Sequence, residues 1–188
     1  MSVKLWALKV GELRPLGDHA LLFLAARCAM RVEPWLPAGA KVDWKRGLEA
    51  VCRGGGASSD LGRALSDRGA VACNRLAATD EPLGRCMNYS TQTLCAALEA
   101  AGSADRATRC KRVIDAAKYA SSIGAVLAHA GRVSAPRGTD AVTFACTAMW
   151  DAIRSDIAAV AGAPSGVTPA ALRTLAPLWS AGKPRWVP

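Results

Sequence analysis

Apolar residues recur at three-and-four spacing along most of this chain, and no long segment shows the strict alternation of a half-buried strand. The first strong stripe is Leu21, Leu24, Ala25, Cys28, Ala29 and Val32, which predicts a helix over 18–32, opened by Asp18 as a cap and closed by Pro34 and Pro37. Before it, residues 3–13 read as a shorter helix with Leu5, Leu8 and Val10 facing inward, a strand remaining open there. Asp43 starts a second main helix that Gly54, Gly55 and Gly56 stop, and Ser59 or Asp60 caps another reaching about residue 78. The run Thr79-Asp80-Glu81-Pro82 opens a helix ending at Gly102, and Ser103 is placed to cap the next. That helix carries Cys110, Val113, Ile114, Ala117, Ser121, Gly124 and Ala128 on one face, and Lys111, Asp115, Lys118 and Ser122 on the other. A further stripe (Val142, Cys146, Met149, Ile153, Ile157, Val160) predicts a helix over 139–160. Thr168-Pro169 then begins a short last one that ends near Pro177.

The pattern therefore predicts an all-α fold, a compact bundle of about six to seven alanine-rich helices. Residues 1–164 form a single helical domain, and 165–188 a short C-terminal helix with an extended basic tail that holds Trp179 and Trp186. Alanine lets helices approach closely but buries little area per residue, so a few larger groups must fix the core. The candidates are Leu21, Leu24, Leu48, Leu98, Val113, Ile123, Leu127, Met149 and Ile153.

No stretch reaches the roughly 18 to 20 uninterrupted apolar residues of a membrane span. The apolar segment 20–30 contains Arg27, is flanked by Arg31, and lacks a small-residue cleavage site, so it does not read as a signal peptide. Seven cysteines without such a signal point to free thiols in a reducing cytoplasm.

Catalytic and metal chemistry find little purchase. Cysteine knuckles and histidine pairs at ligand spacing are absent from the sequence, so no metal or cofactor is expected. Gly54-Gly55-Gly56 is followed by Ala57, Ser58, Ser59 and Asp60, with no lysine, and fits a joint better than a phosphate loop. Cys28, Cys110 and Cys146 lie on apolar stripes. Cys86, between Arg85 and Met87, is the one cysteine whose neighbours could lower its pKa, with His129 as a conceivable partner. Inert packing is the stronger reading, and no catalytic residue is assigned.

Charge changes the picture more. The chain carries a formal net charge of +9, which calls for an acidic partner unless it serves solubility alone. Beyond Asp156 there is no acidic residue, while Arg173, Lys183 and Arg185 remain. Arg106, Arg109, Lys111 and Arg112 cluster at one helix start, flanked by Asp105 and Asp115 and without interleaved aromatic residues for base stacking. Six tryptophans against two phenylalanines and two tyrosines also stand out. Trp35, Trp44, Trp179 and Trp186 fall at helix ends, in loops or in the tail, where they either staple loops to the core or anchor an interface.

The segment Ala25-Ala26-Arg27-Cys28-Ala29-Met30-Arg31-Val32-Glu33-Pro34-Trp35-Leu36, followed after a spacer by Lys45-Arg46-Gly47-Leu48-Glu49-Ala50, resembles the opening of a bacterial family of immunity proteins from polymorphic toxin systems. The resemblance spans residues 18–130 by organisation and about a dozen positions by motif. This chain departs from that family's acidic or neutral balance by being basic. The resemblance implies a non-enzymatic protein-binding module that occludes a toxin or effector. Lys111, Arg112 and Lys118 are the residues expected to meet an acidic protein, with Trp44 or Trp179 as aromatic anchor. The alternative is a basic accessory subunit binding nucleic acid within a larger complex.

Overall fold

The computed structural model describes residues 8–36, 41–53, 67, 80–161, 177–179 and 181–188. Among the described residues six helices pack together: α1 (Val10–Leu13), α2 (Asp18–Val32), α3 (Lys41–Arg53), α4 (Glu81–Gly102), α5 (Arg106–His129) and α6 (Ala141–Ala161), with a 3₁₀ turn at Glu33–Trp35 after α2. No strand occurs among the described residues, so the all-α expectation holds. The helices expected over 60–78 and 168–177, and the glycine joint at 54–56, lie outside the described residues.

α2 is the axis of the bundle and touches α3, α4, α5 and α6. Every residue from Leu21 to Ala29 is buried, which is why this helix has no polar face for most of its length. The nine core residues named above are all buried, none more than 4 % exposed. α4 and α5 pair most extensively, with Tyr89 and Tyr119 stacked at 6.3 Å between ring centroids. Where α5 meets α6 the approach is close enough to require glycine: a Cβ on Gly124 would stand 3.2 Å from the Ala145 carbonyl oxygen.

Buried hydroxyls on α4 are satisfied without partners from other helices. Ser90, Thr91 and Thr93 donate to the carbonyls of Cys86, Met87 and Tyr89 at 2.9, 3.0 and 2.7 Å.

The caps differ from expectation in instructive ways. Asp80 caps α4, accepting from the Leu83 N–H at 3.1 Å, and Pro82 sits in the first turn as expected. Asp105, and not Ser103, caps α5: its carboxylate accepts from the Thr108 N–H at 2.7 Å. Ser103 is instead the residue that closes α4. Asp18 occupies the first position of α2, with Gly17 as the cap, because its carboxylate is engaged by arginines of α5. Asp140 receives the Thr143 N–H at 2.8 Å at the head of α6. α5 stops at Gly131, φ +69°, where the Gly131 N–H bonds the Ala128 carbonyl and the Arg132 N–H bonds that of Leu127. That pair of bonds is a Schellman closure, and it requires a residue at ease with positive φ. Val10, expected inward, is 59 % exposed; Leu8 and Leu13 hold that segment to the core instead.

Candidate functional site

The basic cluster at the start of α5 is largely occupied within the molecule. Arg109 binds the Asp18 carboxylate at 2.7 Å and also donates to the carbonyls of Ala100 (3.2 Å) and Ser103. Arg106 reaches the same carboxylate at 3.2 Å, the Arg14 carbonyl at 3.1 Å, and the Leu16 carbonyl. The Arg109 hydrogen bond, with the nearby positive charge, holds the Asp18 carboxyl below its ordinary range. These arginines tie the α1–α2 turn and the α4–α5 corner to α5.

Arg112 is bracketed by Glu99 at 2.7 Å and Asp115 at 3.3 Å. Lys111 and Lys118 remain exposed, two turns apart on α5, with no ion-pair partner among the described residues. The expected basic face thus reduces to two lysines and a half-buried, already paired arginine.

Both expected aromatic anchors are buried. Trp44 and Trp179 are 6 % and 8 % exposed. Trp44 belongs to the buried face of α3. Trp179, with Val187, brings the C-terminal segment into the core, so residues 177–179 and 181–188 are part of the bundle's packing, not an extended tail. Trp186 stacks on Trp35 at 6.2 Å and meets Trp179 edge-on at 6.3 Å, giving a three-indole cluster between the end of α2 and the chain's last residues.

Beneath this cluster lies a buried charge triad. Arg27 and Arg31, one turn apart on α2, both bind Asp156 of α6, and all three residues are at most 1 % exposed. The Arg27 Nη2 stands 2.9 Å from Oδ1, and the Arg31 Nη1 stands 2.6 Å from Oδ2. Further guanidinium hydrogens reach backbone: Arg27 to the Pro177 carbonyl at 2.6 Å, Arg31 to those of Leu178 at 3.0 Å and Ala152 at 3.1 Å. One carboxylate cannot neutralise two guanidiniums. Those carbonyl dipoles, and the rings of Phe23 and Trp179 at 5.5 and 5.8 Å from the guanidinium carbons, give the two cations further support. The triad is therefore a latch that draws the C-terminal segment onto α2 and α6. In the sequence its only trace is a pair of arginines four residues apart inside an otherwise apolar helix.

The latched segment forms one wall of a cleft of about 640 Å³, and α6 together with the turn after α5 forms the other. Phe144, Trp179 and Trp186 supply its aromatic surface, while Arg132, Lys183 and Arg185 supply positive charge. Asp151 is the acidic residue of the lining, and Ser134 and Thr147 add hydroxyls. Arg132 is braced by Asp80 at 2.6 Å, an interaction that also holds the Asp80 carboxyl below its ordinary range.

A second groove, about 430 Å³, runs between α4 and α5 and contains His129, Tyr89, Glu81 and Arg85. Cys86 does not line it. Its side chain is wholly buried, and burial pushes the thiol up to about 12, as it does for Cys28. The conceivable Cys86–His129 pair therefore lacks the depressed thiol that nucleophilic chemistry needs. In native protein at pH 8, a water-soluble disulfide reagent is expected to leave Cys28 and Cys86 unmodified and to label both once denaturant is added. Peptide mapping by mass spectrometry would check this; rapid native labelling of Cys86 would contradict its burial. No cluster of three or more His, Cys, Asp or Glu side chains able to hold a metal ion occurs among the described residues. Nor is any helix among them long and apolar enough to cross a membrane.

No family model, curated protein or solved structure matches this chain.

Proposed function

We propose that the protein is a non-enzymatic binding module for an acidic protein partner. The observation that carries this reading is the distribution of positive charge: the arginines at the head of α5 are paired internally, yet Lys111 and Lys118 stay exposed along one line of the same helix. A rigid helical face of this kind is ordered before binding, so little conformational entropy is lost on association. The resemblance to immunity proteins of polymorphic toxin systems would make the partner a toxin or effector, and the mechanism occlusion of its surface. Arg112 would contribute by offsetting part of the negative charge of Glu99 and Asp115 beside the lysines. Trp44 and Trp179 would support the scaffold and leave binding to the charged face.

The test is coexpression with the products of adjacent genes, followed by binding kinetics. Lys111→Glu with Lys118→Glu is expected to slow association by about tenfold at low salt while leaving dissociation nearly unchanged. Binding should weaken only moderately with added salt. A steep, log-linear loss of affinity with salt would favour a nucleic-acid partner instead. Unaltered association in the charge-reversed variant would remove this face from the reading.

A further inference from the structure

We propose that the cleft between α6 and the latched C-terminal segment is a binding site for a small aromatic anion, a flat ring bearing a carboxylate or phosphate. Three observations converge on that chemistry. The volume of about 640 Å³ lies in the range of small-ligand sites. Phe144 and Trp186, both half-buried, give a planar group surfaces to stack on, beside the buried Trp179. Arg132, Lys183 and Arg185 line the same space against Asp151 alone, so the lining is net positive and complementary to an anion.

The polar groups are also positioned for capture. Arg132 is braced by one bond to Asp80, and a guanidinium carries five donors, so the brace fixes its orientation without exhausting it. The Arg27–Asp156–Arg31 latch anchors the carbonyls of Pro177 and Leu178, just before Trp179. A site held in place before the ligand arrives loses less entropy on binding. This site is independent of the α5 face, and either can fail without the other.

Titration of the ¹⁵N-labelled protein, following the indole N–H resonances, tests the proposal. 2-Naphthoate and adenosine 5′-monophosphate serve as ring-bearing anions, naphthalene-2-methanol as the neutral ring, acetate as the ringless anion, and a polyglutamate peptide as the macromolecular anion. The two ring-bearing anions differ in whether the charge is carboxylate or phosphate, so their ranking identifies the preferred head group. Saturable shifts of the Trp179 and Trp186 signals are expected with at least one of them at a Kd of about 1 mM or tighter, with Trp44 unmoved. Neutral ring and acetate should bind at least about tenfold more weakly. Lys183→Glu with Arg185→Glu, both exposed, should weaken the anions by about tenfold or more, and leave the neutral ring unaffected. Thr147→Trp, at an exposed position on α6 that lines the cleft, should fill it and abolish the shifts in a protein that still folds. The proposal is overturned if neither ring-bearing anion gives saturable shifts up to about 10 mM. It is overturned equally if the neutral ring or polyglutamate binds as well as they do, or if Thr147→Trp leaves binding intact.

Discussion

Replacing Asp156 by alanine is expected to destabilise the protein by about 3 to 5 kcal/mol, the cost of leaving buried charge without its partner. For a chain of this size that corresponds to a fall in Tm on the order of 10 °C. The reason is that this one carboxylate binds two guanidiniums that are each 1 % exposed. Remove it and both arginines lose the carboxylate they share, so they must either stay in the core without it or drag the end of α2 open to reach water. Asp156→Asn separates charge from shape: it keeps an oxygen for one arginine and should cost less than alanine. Urea denaturation of the three proteins checks the order. A loss under about 1 kcal/mol for the alanine variant would mean that water already reaches the triad.

Buried ion pairs can often be exchanged for apolar groups at little cost. That outcome is not expected here. Arg27 and Arg31 also supply donors to the carbonyls of Pro177 and Leu178, so an apolar replacement of all three side chains would strand backbone acceptors of the C-terminal segment. The latch joins charge neutralisation to chain positioning, and its two tasks cannot be removed separately.

The stripes of α2, α5 and α6 are local patterns, and Val113, Met149 and Ile153 are buried as their spacing implied, while Ile114, Val142 and Ile157 on the same stripes are half-buried. What periodicity could not reveal is pairing across long separations. Arg27 and Asp156 are 129 positions apart, and in the sequence one reads as a charge interrupting an apolar run and the other as the last acid before a basic tail. The basic cluster misled for the same reason. Arg106 and Arg109 look like a surface patch until α5 is laid beside α2, where Asp18 meets them 88 and 91 residues away in the chain. Cap competition is also a tertiary matter: Asp18 has the chemistry of a cap, but a partly buried arginine outbids the backbone N–H groups for its carboxylate. The tryptophans divided similarly. Their positions at helix ends allowed either a staple or an anchor, and the stacking of Trp35, Trp186 and Trp179 decides for the staple.

The staple and the latch should fail together. Trp179→Ala removes a buried indole that packs on both Trp186 and the Arg31 guanidinium, and on its own it is expected to cost about 3 to 5 kcal/mol. Simple addition to the Asp156→Ala loss would give about 6 to 10 kcal/mol, comparable with the whole stability of a typical domain. Addition is not expected, because each substitution releases the same chain segment. Once Asp156 is gone and the arginines no longer hold the Pro177 and Leu178 carbonyls in place, Trp179 has less packing left to lose. A double-mutant cycle should therefore show coupling of about 1 to 3 kcal/mol, with the double variant more stable than the sum predicts. Should the pair prove too unstable to measure, Asp156→Asn with Trp179→Phe gives the same cycle at smaller amplitude. Additivity within about 0.5 kcal/mol would show that the triad stabilises α2 against α6 on its own and that the C-terminal segment docks independently of it. Coupling would instead make the wall of the cleft and the buried charge beneath it one cooperative unit, so that a ligand seated in the cleft should raise the resistance of the latch to unfolding by the same linkage that tightens the site.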